Sequence, residues 1–340
     1  MERLNQIYGE LQKLEKEKWD QKLVADEMFM LIGDQGDSVL AYKTQEGEEN
    51  RGLLTITEPC HVQIAEKLEI PLKYYRKLQA EAPELLNKNV NHWLEHDDRI
   101  LFLRGLGNKA RALLSERYRV IDHLSVLDAA ISELQHHNCT IETAHLDETH
   151  LYLKVKSMEL KSYVKHQGDE IIGGFLIQNS ETGQGSVQII PRIFRVICTN
   201  GMVLESTKVR QIHLGIKDGD DAIYANLRDS IRDIFPQFGS IVNQLRETGF
   251  VGVIDPGRVI KNVVKQFRLS DQDREQVLMA FGAEPDSTQY GIANAFTRMA
   301  KTKESFVDQL ELEKLGGVLV EMSPQQFGKF DVAIDNFQVN

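Results

Sequence analysis

The stretch Leu151-Tyr-Leu-Lys-Val-Lys156 interleaves one aromatic residue and two lysines with three aliphatic residues. Side chains of an extended strand alternate between faces, so Tyr152, Lys154 and Lys156 share one side while Leu151, Leu153 and Val155 share the other. An exposed ring flanked by ammonium groups can stack on bases and neutralise phosphates, the combination that holds single-stranded nucleic acid. Lysines on the solvated side of an antiparallel sheet give the same pattern with no ligand at all.

Further along, IPRIFRVICTNGMV (residues 190–203) sets Arg192 and Arg195 among β-branched and aromatic residues. Their spacing of three sends them to opposite sides of a regular strand, unless a bulge near Pro191 re-aims one of them. One is expected to join the basic face and the other to hold a carboxylate or carbonyl, with a buried ion pair as the plain alternative for the second. Asn200-Gly201 closes the segment with a dipeptide suited to positive φ in a tight turn. Lys208 and Arg210 share a face if residues 205–216 are extended.

The whole chain carries a net charge of −11, yet residues 151–217 hold nine basic and five acidic groups. A second basic island, residues 99–119, has Arg99, Arg104, Lys109, Arg111, Arg117 and Arg119 against Glu116 alone. A fold can bind nucleic acid along one stripe while repelling it elsewhere. Arg111, Arg117 and Arg119 would extend the phosphate path.

Other chemistry is weaker. Gly105-x-Gly107-x-x-Ala110, followed by Asp122, matches a dinucleotide fingerprint if a helix comes next, and would make the protein a nucleotide-binding enzyme. Gly-Leu-Gly-Asn also suits a hairpin loop, and the hairpin reading is preferred. His136, His137, Cys139, His145 and His150 match no zinc spacing, and Glu95, Asp97 and Asp98 read as a solvated turn. No P-loop, HExxH or nucleophile elbow occurs. Neither enzyme nor cofactor nor metal is expected. QIAEKLEIP (63–71) resembles a helix-turn-helix, with Glu69 where glycine is usual.

These residues must be positioned by a soluble fold. The 340 residues suffice for a substantial core, and three unpaired cysteines fit a reducing compartment. The charged N-terminus lacks a signal-peptide core and no run is long enough to span a membrane, so a cytoplasmic protein is expected. Residues 1–22 read as a helix with Leu4, Ile7, Leu11 and Leu14 on one stripe, docked on its own domain or used in an oligomer. Residues 123–137 read as an amphipathic helix, followed by antiparallel strands over 140–146, 151–156, 170–178 and 187–198. Helices are expected beyond Asp218, one of them spanning 221–246 with a bend at Pro236. The pattern predicts an α+β fold: a helical and hairpin region (1–98), an α+β core with a basic sheet face (99–217) and a helical C-terminal subdomain (218–340).

RALLSERYRVID (111–122), NSETG (179–183), RVICTNGM (195–202) and YGIANAFT (290–297) together resemble phage- and plasmid-borne proteins grouped as a domain of unknown function. A more distant similarity, of a helix, a basic-faced antiparallel sheet and then helices, is to single-strand annealing proteins of the eukaryotic and phage recombination superfamily. That similarity implies a homo-oligomeric ring or filament that lays single-stranded DNA in a basic groove without nucleotide or metal. A non-enzymatic interaction factor, whose cations merely pair with acidic neighbours, is the remaining alternative.

Overall fold

The computed structural model describes residues 2–34, 36–43, 52–166, 168–197, 199–204, 211–212 and 220–332. In chain order, helix α1 (Glu2–Glu15) precedes strands β1 (Lys18–Val24), β2 (Met28–Ile32), β3 (Ser38–Tyr42) and β4 (Leu54–Ile56). Helices α2 (Glu58–Lys67), α3 (Leu72–Glu81) and α4 (Pro83–Leu94) follow, then a hairpin of β5 (Ile100–Leu106) and β6 (Lys109–Ser115). Helix α5 (His123–His136) leads into β7 (Cys139–Leu146), β8 (His150–Tyr163), β9 (Glu170–Ser180), β10 (Val187–Arg195), β11 (Asn200–Val203) and β12 (Gln211–Ile212). The C-terminal helices are α6 (Asp220–Arg232), α7 (Ile234–Thr248), α8 (Pro256–Gln266), α9 (Asp271–Ala283), α10 (Gln289–Ala300), α11 (Phe306–Glu321) and α12 (Pro324–Gly328). The architecture is α+β.

The strands form two sheets. The first runs β1-β5-β6-β4-β3-β2 and is antiparallel except where β4 meets β6. The second runs β11-β10-β9-β8-β7, with β12 paired to β10. By its hydrogen bonds the hairpin of residues 100–115 therefore belongs with the N-terminal strands, although the sequence boundary at 98/99 grouped it with the later sheet.

That hairpin disposes of the dinucleotide fingerprint. Leu106 pairs with Lys109 across Gly107 and Asn108, Gly107 takes φ +55°, and a strand rather than a helix follows. The other glycine, Gly105, faces Trp19 so closely that a Cβ would enter the indole ring. Trp19 Nε1 donates to the Gly107 carbonyl at 2.8 Å.

The α1 stripe is spent inside the molecule, where Ile7 and Leu11 join a core with Val126, Leu127 and Ala130 of α5. The expected helix over 221–246 is two helices, α6 and α7, with Asp233 between them and Pro236 in the first turn of α7. Proline there removes only an N–H that has no helical acceptor. Asp255 caps α8, accepting from the Arg258 N–H at 3.0 Å.

Between α2 and α3, Glu69 takes φ +56°. Its N–H donates to the Glu66 carbonyl at 3.2 Å and the Ile70 N–H to the Ala65 carbonyl at 2.8 Å, the two bonds of a Schellman ending. A side chain in this left-handed conformation costs about 1–2 kcal/mol. Since glycine also loosens the unfolded chain, Glu69→Gly is expected to stabilise by a net of about 0.5–1 kcal/mol in urea unfolding. A lower midpoint would contradict the assignment.

Candidate nucleic-acid interface

The alternation on β8 is real, but its second face is not solvated. Leu151, Leu153 and Val155 enter the main core, while Tyr152 packs with Leu176, Ile190, Val203, Leu310 and the partly buried Phe306. Lys154 is only 4% exposed, its ammonium 3.0 Å from Glu313 and 4.7 Å from the Phe306 ring centroid. Lys156 is half-buried over Phe194. Burial, outweighing the attraction of Glu313, lowers the Lys154 pKa. The expected exposed basic face is therefore corrected: α11 covers it, and its side chains fill a second core.

Both arginines of β10 are buried as well. Arg192 forks onto Glu313, with Nε to Oε2 at 3.2 Å and Nη2 to Oε1 at 3.1 Å, and also bonds Glu142. Arg195 bonds Asp169 at 2.5 Å and Glu284 at 2.6 Å. Neither joins an exposed face, so the expectation that one would is overturned. No bulge is involved, since β10 keeps regular register with β9 through Pro191. The Pro191 carbonyl accepts from the Leu204 N–H, so its nitrogen faces the same side, just past the end of β11, where no ladder bond is lost. Asn200-Gly201 lies within β11; the left-handed residue of that turn is Thr199, at φ +49°. Gly201 is required for a different reason, because a Cβ there would strike the Arg192 guanidinium.

Arg111 is buried too, 3.0 Å from Glu181. Arg117 is exposed and Arg119 half-buried, whereas Lys208 and Arg210 lie outside the described residues. Arg111 opens onto a network where the two sheets meet. Glu181 Oε1 accepts from Lys18 at 2.6 Å and from the backbone N–H of His123 at 2.7 Å, and its Oε2 accepts from Arg111. Arg104, 2% exposed, bonds Asp20, Asp122 and the Glu181 carbonyl. Gln63 of α2 ties both sheets by donating to the Thr182 carbonyl at 2.6 Å and accepting from the Leu113 N–H at 2.8 Å.

The electrostatics follow from this crowding. Burial alone would raise the Glu181 pKa, but His123, charged at low pH, with Lys18 and Arg111 outweighs it and holds the carboxyl at about 2. Burial lowers His123 to about 4. The motifs noted in sequence thus meet pairwise: 111–122 with 179–183 at the sheet junction, and 195–202 with 290–297 through Arg195, Tyr290, Asn200 and Thr297. They build ion-paired and hydrogen-bonded joints rather than an open surface.

An open surface with binding chemistry lies elsewhere, on the three helices after β4. A cleft of about 530 Å³ is lined by the end of α2, the first turn of α3, α4 and the turn after it. Tyr74 and Trp93 expose 44% and 49% of their surface there, large values for aromatic residues. Trp93 Nε1 donates to Asn89 at 3.2 Å, which orients the indole. Arg99 is held by Asp97, with Nε to Oδ1 at 2.8 Å and Nη2 to Oδ2 at 2.6 Å, and by the Lys67 carbonyl. Hydrogen bonding from Arg99 keeps the Asp97 carboxyl below its ordinary range. Lys73 and Lys77 are exposed on α3, the latter 3.9 Å from Glu81.

The helix-turn-helix pattern and the carboxylates Glu95, Asp97 and Asp98 lie in this neighbourhood, but the exposed Tyr74 and Trp93 were not singled out in the sequence. The available signal was placement: Asn89 and Trp93, four apart, flank the buried stripe of Leu86, Val90 and Leu94. Among the described residues no group of histidine, cysteine and carboxylate side chains is arranged to hold a metal. No helix among them is long and apolar enough to cross a membrane.

Fold and site together define an α+β protein of two sheets joined by buried charge, with an aromatic-lined cleft on its N-terminal helices. Residues 111–302 match the family described as Domain of unknown function (DUF932), and with more than half of its length matched the chain belongs to that family. No curated protein and no solved structure matches it.

Proposed function

We propose that this protein binds single-stranded DNA without nucleotide or metal, using the cleft between α2, α3 and α4 as its stacking platform. The observation that carries the reading is the pair of half-exposed rings, Tyr74 and Trp93, in one open cleft whose charged lining is Lys67 and Arg99 with Glu69 and Asp97. Rings accept successive bases without regard to sequence, and the exposed Lys73 and Lys77 of α3, next to Tyr74 and three residues beyond it, supply cations for the backbone. The proposal includes a homo-oligomer of mobile-element origin that anneals strands, as the sequence resemblance implies, with this cleft taking the place of the sheet face that α11 covers.

Fluorescence anisotropy with a labelled oligothymidine at two salt concentrations tests it. Trp93→Ala is expected to weaken binding by about 1–3 kcal/mol with little change in salt dependence, because stacking releases no counterions. Lys73→Gln with Lys77→Gln should instead flatten the log–log salt slope by about 1.4. Trp93 is one of only two tryptophans, so its emission should be quenched on binding. Wild-type affinity in Trp93→Ala would remove the cleft from the reading. It would favour an interaction factor instead, which the pairing of Lys154, Arg192, Arg195 and Arg111 with carboxylates already suits.

A further inference from the structure

The α2–α4 cleft holds more than rings, and its polar groups are of unequal availability. Asp97 and Arg99 are bound to each other through two hydrogen bonds, and His96 Nδ1 donates to the His92 carbonyl at 2.7 Å. Lys67 and Glu69 also line the cleft, and among the described residues their side chains make no ion pair or hydrogen bond, although Glu69 lies near enough to Arg99 to feel its charge. Glu69 is exposed, and it holds φ +56° at a position where glycine would sit without strain. Strain of this kind collects where a side chain is needed for binding.

We infer that the cleft prefers guanine among the bases of a single strand, with Glu69 accepting from its N1–H and N2 amino group while Tyr74 or Trp93 stacks on its face. The inference rests on the reading of the cleft as a single-strand platform and adds a base preference to it. A carboxylate is acceptor-only, with two oxygens side by side. Guanine alone presents two adjacent donors on its Watson–Crick edge, the edge that single-strand readers bond. Adenine and cytosine set a ring acceptor beside the amino group, and thymine sets its one N–H between two carbonyls, so each turns a lone pair toward the carboxylate. The rings take any base, and Glu69 chooses among them.

The test is an anisotropy titration of labelled oligothymidines that carry one central guanine, hypoxanthine or adenine. The protein should bind the guanine strand about tenfold more tightly than the adenine strand, the discrimination of one bidentate contact, with hypoxanthine, which lacks the amino group, between them. The adenine strand controls for the stronger stacking of any purine. Glu69→Gln should bring guanine and adenine to within about twofold without weakening oligothymidine, because an amide offers one acceptor where the carboxylate offers two. Glu69→Gly, expected to be the more stable protein, should lose the same preference, which separates the contact from folding. Equal binding of guanine and adenine strands by the unsubstituted protein, or a guanine preference that survives in either variant, overturns the inference while the stacking platform stands. Unchanged oligothymidine affinity in Trp93→Ala removes the platform and the inference with it.

Discussion

Glu181→Ala is expected to cost about 3–5 kcal/mol of stability, the typical penalty for removing one partner of a buried ion pair. The carboxylate is 1% exposed and accepts from Lys18, Arg111 and the His123 backbone at once. Truncation takes the carboxylate from the buried Arg111 and from an N–H donor and leaves Lys18 with only Glu15 and Asp122. Against a total stability of about 5–15 kcal/mol, the loss should be visible as a large fall in urea midpoint. Glu181→Gln keeps acceptors for some of these donors and should cost less. A drop below about 1 kcal/mol for the alanine variant would mean that the sheets are not joined through this residue.

Stability should also fall steeply between about pH 6.5 and pH 4. His61 and His123 are both pulled down to about 4, in each case mainly by burial, with His61 further lowered by Arg76. A base with a depressed folded-state pKa leaves stability intact above its unfolded value near 6.5. As pH falls below that, the unfolded chain takes up a proton that the native protein refuses, and the loss continues until the folded value is reached. Each histidine contributes about 3 kcal/mol over this window at 1.36 kcal/mol per pKa unit. The Glu181 contribution has the same direction but a lower window: present above about 4.5 and lost as pH falls toward 2. Urea midpoints measured from pH 7.5 to 4 should therefore show two histidines' worth of slope, and His123→Gln should remove one share. A flat profile across that range would refute the burial of both rings.

Much of this was legible in the sequence because it is set locally. The alternation of β8 and the apolar stripes of α1 and α5 each depend on side chains a few residues apart, and local periodicity reports them directly. Glu69 was recognisable as the residue at a glycine position, and its φ of +56° is the consequence. Gly105-x-Gly107 remained ambiguous between helix and hairpin until β1 and Trp19 were seen against it.

The sequence by itself determined that Tyr152, Lys154 and Lys156 would leave β8 on one side, since the pleat allows nothing else. Only the tertiary structure decided what that side would meet. Glu313, which receives both Lys154 and Arg192, lies 121 residues beyond the arginine on a helix whose own sequence gives no address for its docking. Likewise Arg111 reads as a surface cation until Glu181, from the other sheet, arrives within 3.0 Å. A strand with one apolar and one cationic face looks the same whether water or a carboxylate-bearing helix covers the second face. Chain folding over long separations makes that choice, and it turned the apparent binding face into core while leaving Tyr74 and Trp93 in the open.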